Sequence, residues 1–142
     1  MPQTMTEKIL ARAAGRTEVH AGEEVTARPD FVIAYDFPGY TDVFFKETRD
    51  DFGIAQVERP ERFVLFIDHM VPAATPKEEE LHKVTRAWGR EQGVTVVERE
   101  GLGHQVSAEQ GYAVPGAFVV HFDGHVSQLG AFGAFAFGAR KG

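Results

Sequence analysis

The chain has 142 residues, 43% hydrophobic and 25% charged, a balance that excludes disordered and fibrous architectures and suits one sizeable core, read here as a single domain over residues 1–142. Its formal net charge of −6 offers no electrostatic footprint for nucleic acid or for an anionic membrane surface, so neither is expected as a partner. With no cysteine in the sequence, disulfides, thiolate nucleophiles and thiolate metal ligands are excluded for this chain.

The opening residues hold no apolar run of signal-peptide length, and no later stretch reaches the length of a membrane-spanning helix, which makes a cytoplasmic location the expectation. Thr4 and Glu7 form a capping-box pattern ahead of Ile9, Leu10 and Ala13, and Gly15 is a plausible stop, so a short helix comes first. Phe31–Tyr35 is a continuous apolar run of the kind found in strands buried on both faces, and it ends at Asp36. Pro38 and Gly39 mark a turn, after which Val43, Phe44 and residues 47–52 can form an amphipathic helix closed by Gly53.

Residues 62–67 repeat the buried-strand pattern and again end in acid, at Asp68 followed by His69. Thr75, Pro76 and Glu78 then supply the N-cap, first and third positions of a helix that carries Leu81, Val84, Ala87 and Trp88 along one side and ends before Gly93. Residues 94–97 read as a strand, a Gly-rich loop carries His104, and Pro115-Gly116 turns into a strand over 117–122. The tail, residues 129–138, opens on Leu129, closes on Gly138 and sets Phe132, Phe135 and Phe137 among small residues. So apolar a segment is expected to pack against another protein chain.

This alternation predicts an α/β fold, a three-layer α/β/α arrangement with a mainly parallel sheet, in which ligands gather beyond the carboxyl ends of the strands. Asp68-His69, Gly103-His104-Gln105, His121 and Asp123-Gly124-His125 all fall at expected strand ends or in Gly-containing loops. An acid beside an imidazole suits proton transfer, because the carboxylate fixes the tautomer and raises the basicity of the ring. The plain alternative is a turn followed by a surface histidine. His121, Asp123 and His125 alternate, so a strand that continues through them would put all three on one face, where they could hold a mononuclear divalent metal. A strand that ends by Gly124 dissolves that geometry. His82 reads as a solvated helix residue and His20 as a loop residue. There is no Gly-x-Ser-x-Gly elbow, no phosphate-binding Gly-x-x-x-x-Gly-Lys and no His-Glu-x-x-His helix.

Taken in order, the pieces resemble the aconitase superfamily, and most closely the large subunit of isopropylmalate and homoaconitate dehydratases. The similarity runs through residues 6–12, 22–25 and 30–34, then Asp68-His69 with a Pro three residues on, Gly103-His104-Gln105, Glu109, Gly111 and Pro115-Gly116. It continues through Asp123-Gly124-His125-Val126-Ser127 and a Gly/Ala-rich segment expected to be helical over 130–136. The resemblance implies the first α/β/α domain of an enzyme that removes and re-adds water on a hydroxy-polycarboxylate, with a four-iron, four-sulfur cluster as Lewis acid. It assigns proton-transfer or cluster-environment roles to His69 paired with Asp68, to His104 paired with Asp123, and to His125. It also sets Ser127 at the family's first cluster cysteine, and a hydroxyl is a poor substitute for thiolate. His121 occupies a place where the family has a small residue.

Three readings follow. In the first, the chain is a subunit or fragment of a hydro-lyase acting on a small polycarboxylate, and another chain supplies the rest of the active site and any cluster cysteines. The second is a cluster-free, metal-dependent hydratase or lyase using His121, Asp123 and His125. The third is a non-catalytic binding or regulatory relative.

Overall fold

The computed structural model describes residues 2–37 and 41–139, and the Pro38-Gly39 turn expected from sequence lies outside the described residues. The elements run α1 (Met5–Ala13), β1 (Phe31–Tyr35), α2 (Thr41–Asp50), a 3-10 turn (Pro60–Arg62), β2 (Phe63–Ile67), α3 (Pro76–Gln92), β3 (Thr95–Glu98), α4 (Gly103–Glu109), β4 (Phe118–His121), a second 3-10 segment (Gly124–Phe132) and β5 (Phe135–Gly138). They form an α/β fold around one five-stranded sheet in the order β3-β2-β1-β4-β5. The pairings β2–β3 and β4–β5 are parallel. Among the described residues no helix is long and apolar enough to cross a membrane.

The chain divides into two compact units, one of Ile33–Val106 and one of Met1–Val32 with Ser107–Gly142. In the first unit every residue of β2 is buried, which is why its sequence is unbroken hydrophobic rather than alternating. The helix α3 begins as its sequence dictates: the Thr75 hydroxyl accepts from the Glu78 N–H while the Glu78 carboxylate accepts from the Thr75 N–H, and Pro76 fills the first turn. It ends at Gly93, whose φ of 69° is the left-handed conformation that a helix C-terminus favours and that glycine adopts without strain.

The buried face of α3 differs from the one that hydrophobic spacing predicts. His82, Thr85, Gly89 and Gln92 are buried, whereas Val84 and Ala87 are exposed. Each polar member has an internal partner: Thr85 donates to the Leu81 carbonyl, and Gln92 accepts from the Val57 N–H at 2.8 Å and donates to the Ala55 carbonyl at 3.1 Å. Gly89 sets the approach, because a Cβ there would stand 2.3 Å from Val96 Cγ2 on β3. His82, expected in solvent, is 2% exposed. The buried polar groups here bond to backbone, within α3 for Thr85 and in loops for His82 and Gln92, which a hydrophobic pattern does not register.

A helix, α4, stands where a Gly-rich loop was expected to carry His104. Its glycine serves close packing instead of looseness: a Cβ on Gly103 would meet Tyr35 Cε1 at 2.5 Å and Phe66 Cγ at 2.6 Å.

In the second unit Arg12 pairs with Asp30 and donates to the Gly116 carbonyl, and Asp30 accepts the Phe118 N–H at 2.8 Å at the start of β4. The apolar tail is neither free nor helical after residue 132. Its last part forms β5, an edge strand in register with β4 from Phe118↔Phe135 to His121↔Gly138, which pairs one side of its backbone. Leu129 is fully buried, while Phe132 and Phe137 are about half exposed.

Candidate functional site

The strands β1 and β2 each deliver an acid at the carboxyl end, the position where open α/β sheets place their ligands. Asp36 follows β1 and is fully buried. Its N–H donates to the Phe66 carbonyl, and its Oδ1 accepts the N–H groups of both Asp68 and His69 at 3.1 Å each. A carboxylate thus ties the end of β1 to the first residues beyond β2. Asp68 is tied from another direction, since its Oδ2 accepts the Gly103 N–H at 2.5 Å.

His69 stands between these carboxylates. Its Nδ1 lies 2.8 Å from Asp68 Oδ1 and 3.3 Å from Asp36 Oδ1, and the side chain keeps 30% of its exposure. Since Nδ1 itself is buried, that exposure belongs to the other atoms of the side chain. The contacts are close ion pairs and not well-directed hydrogen bonds: Asp36 Oδ2, Asp68 Oδ1 and His69 Nδ1 are buried without an aligned partner. Asp36 first and Asp68 next, acting on Nδ1 against partial burial, push His69 up to about 10. The ring is therefore an imidazolium at neutral pH, with Nδ1–H toward the carboxylates. Tyr35 and Phe37 meet it edge-on, at centroid distances of 6.1 and 5.1 Å.

Behind this pair stands His82 of α3. Its Nε2 is 3.0 Å from the His69 carbonyl oxygen and 3.0 Å from Asp36 Oδ2. Both neighbours only accept, so Nε2 must carry the hydrogen. Its direction favours the His69 carbonyl, so Asp36 Oδ2 has no aligned donor.

Among the described residues, one group of three metal-capable side chains has donor atoms within 4.8 Å of one another, and it is Asp36, Asp68 and His69. Its two carboxylate oxygens and one imidazole nitrogen are of the type a divalent ion takes. The same negative field holds a proton on Nδ1, which an ion would have to displace.

The remaining sequence-derived candidates fall as follows. His104 lies in the first turn of α4, one residue after the glycine that binds Asp68, and is partly buried. In the other unit β4 ends at His121, which is 1% exposed, so the alternation through Asp123 and His125 does not continue as strand. Asp123 instead caps the 3-10 segment, accepting the His125 N–H at 2.5 Å and lying 3.1 Å from its Nδ1. The His125 side chain is 80% exposed. His121, Asp123 and His125 do not appear together as a three-donor group among the described residues. The Ser127 hydroxyl donates to the Gly124 carbonyl at 3.4 Å.

Within each unit the structure thus brings together Asp68 with His69, and Asp123 with His125. Asp36 and His82 were not singled out as site residues from the sequence. Asp36 carried the same signal as Asp68, an acid closing an apolar run. His82 carried none, because its neighbours on α3 are Leu81 and Lys83 and its partner is a backbone carbonyl.

Residues 7–140 match the family model described as aconitase family (aconitate hydratase). The chain is 43% identical over 137 residues to the probable methanogen homoaconitase large subunit of Methanothermobacter thermautotrophicus, an overlap covering 94% of this chain and 32% of that protein. It is 41% identical over 140 residues to the 3-isopropylmalate dehydratase large subunit of Aquifex aeolicus, covering 97% and 32%. Against the homoaconitase large subunit of Thermus thermophilus it is 40% identical over 139 residues, with the same coverage of 97% and 32%. The chain therefore spans about a third of the length of these relatives.

Proposed function

The chain belongs to the aconitase family, and on that premise we propose that it supplies one part of a hydro-lyase acting on a hydroxy-polycarboxylate, with the rest of the active site brought by other polypeptide. The observation that carries this reading is His69 at the carboxyl end of β2, its Nδ1 enclosed by the carboxylates of Asp36 and Asp68 while other atoms of the side chain remain partly exposed. Removing water from a hydroxy acid breaks a C–O and a C–H bond and leaves a carbon–carbon double bond. The hydroxyl leaves as water only if a proton reaches it. An imidazolium whose Nδ1–H is fixed inward presents its Nε2–H to that oxygen, which is general-acid catalysis with the tautomer set in advance. The proton from carbon passes to a base elsewhere in the enzyme, and rehydration runs the same steps in reverse.

The residues of this chain do not fit the iron–sulfur cluster that the family implies. There is no cysteine, and the Ser127 hydroxyl, at the position similar to the first cluster ligand, is engaged with a backbone carbonyl and is not a thiolate. Thiolates for a cluster would have to come from polypeptide beyond these 142 residues. The names of the relatives describe large subunits, which supports a partner for this chain as well.

The test is reconstitution. The chain is purified alone and with the products of neighbouring reading frames that carry cysteines, and formation of the unsaturated acid from isopropylmalate, or its consumption when homoaconitate is hydrated, is followed by ultraviolet absorbance. Turnover in a complex, and not with either component alone, is the expected result. A chain that remains monomeric and is unaffected by such partners contradicts the reading.

A further inference from the structure

Neither the resemblance nor the hydrophobic pattern gives Asp36 or His82 a part in the chemistry, yet both touch the segment that carries His69. We infer that Asp36 and His82 are the positioning residues of His69, fixing its backbone and its ring from the buried side so that its outer nitrogen is the one presented to a ligand. The inference rests on the proposed role of His69 but does not need the chain to be active.

Three observations carry it. Asp36 Oδ1 binds the N–H groups of two consecutive residues, Asp68 and His69, and also lies 3.3 Å from His69 Nδ1. One oxygen thus sets the path of the chain and lies in ion-pair contact with the ring that projects from it. His82 Nε2 holds the opposite pole of the same residue, the His69 carbonyl, at 3.0 Å, while standing 3.0 Å from Asp36 Oδ2. Both are buried, Asp36 at 0% and His82 at 2% exposure. Each does more than fill space: Asp36 satisfies two backbone N–H groups and His82 one backbone carbonyl, all on the segment that carries His69.

The titratable groups facing His69 are Asp36 after β1, Asp68 after β2, Tyr35 at the end of β1 and His82 from α3. With Nδ1–H directed at the carboxylates, the neutral ring keeps its lone pair on Nε2. Loss of Asp36 removes one of the two charges on Nδ1. Loss of His82 frees the His69 carbonyl and leaves Asp36 Oδ2 with no nearby donor, so ring and carboxylate need no longer face each other.

The experiment is a histidine ring titration by NMR on the full chain, labelled in histidine and assigned with His69→Gln, for wild type, Asp36→Asn, His82→Gln and His82→Leu. Gln keeps an N–H donor where Leu has none. The wild-type His69 midpoint is expected well above the ordinary histidine range. Asp36→Asn and His82→Leu are each expected to lower it by about one unit or more, a tenfold loss in proton affinity, while His82→Gln restores most of it. A role limited to packing lowers the unfolding temperature of all three variants and leaves the midpoint in place, and that result overturns the inference. If Asp36→Asn does not fold, the Gln and Leu variants of His82 decide alone. A titration that follows Asp36 and His82 in a chain that never turns over would defeat the hydro-lyase reading and leave this inference standing. An active complex whose His69 ignores both residues would do the reverse.

Discussion

His69 owes its properties to two carboxylates that the sequence separates by more than thirty positions. Asp68 is its neighbour in the chain, and an acid beside a histidine at a strand end is visible in one dimension. Asp36 lies at the end of the preceding strand and reaches His69 only because β1 and β2 finish together, so its contribution could not be read in advance. The consequence is a pH dependence of stability. His69 is raised in the folded chain to about 10 from an ordinary value of 6.5, so its stabilising contribution is fully present below about 6.5 and is lost as pH rises through about 10. Urea unfolding of wild type and His69→Gln at several pH values checks this. The stability difference between them should shrink steadily from neutral toward pH 10, and a constant difference would mean that the ring does not titrate with folding.

At the scale of elements, the two glycines with the closest surroundings define how helices meet the sheet. Gly89→Ala drives a methyl group toward Val96 and is expected to cost about 1–3 kcal/mol through overpacking, measured as a fall in the urea midpoint. Gly103→Ala meets Tyr35 and Phe66 and is expected to cost a similar ~1–3 kcal/mol. It should also displace the N–H that Asp68 accepts, so the His69 midpoint should move in this variant and stay in place in Gly89→Ala. The start of α3 was legible because a capping box and a first-turn proline are local chemistry, and β1 was legible because five apolar residues in a row have few alternatives. The inward face of α3 was not, since Thr85, Gln92 and His82 are buried by bonds to the backbone of Leu81, Ala55, Val57 and His69. Neither was α4, where Gly103, which suggests a loop, lets the Tyr35 and Phe66 rings approach the helix. The tail illustrates a third limit: its apolar composition was evident, but that Phe135–Gly138 adds a strand beside β4 depends on a partner fixed elsewhere in the chain.

For the whole molecule, the expected α/β class, the mainly parallel pairing and the family resemblance agree with the structure and with relatives that are 40–43% identical. The chain spans about a third of those relatives and holds no cysteine, so on the proposed reading it brings proton-handling groups to a site completed by another polypeptide. The measurement that tests this most directly is the dehydration rate of the assembled enzyme with His69→Gln in place of wild type. Removing a general acid is expected to lower the rate by roughly 10²–10⁴-fold with little change in KM. An unchanged rate in a complex that assembles normally would show that the proton comes from another group, and the role assigned to His69 would be wrong.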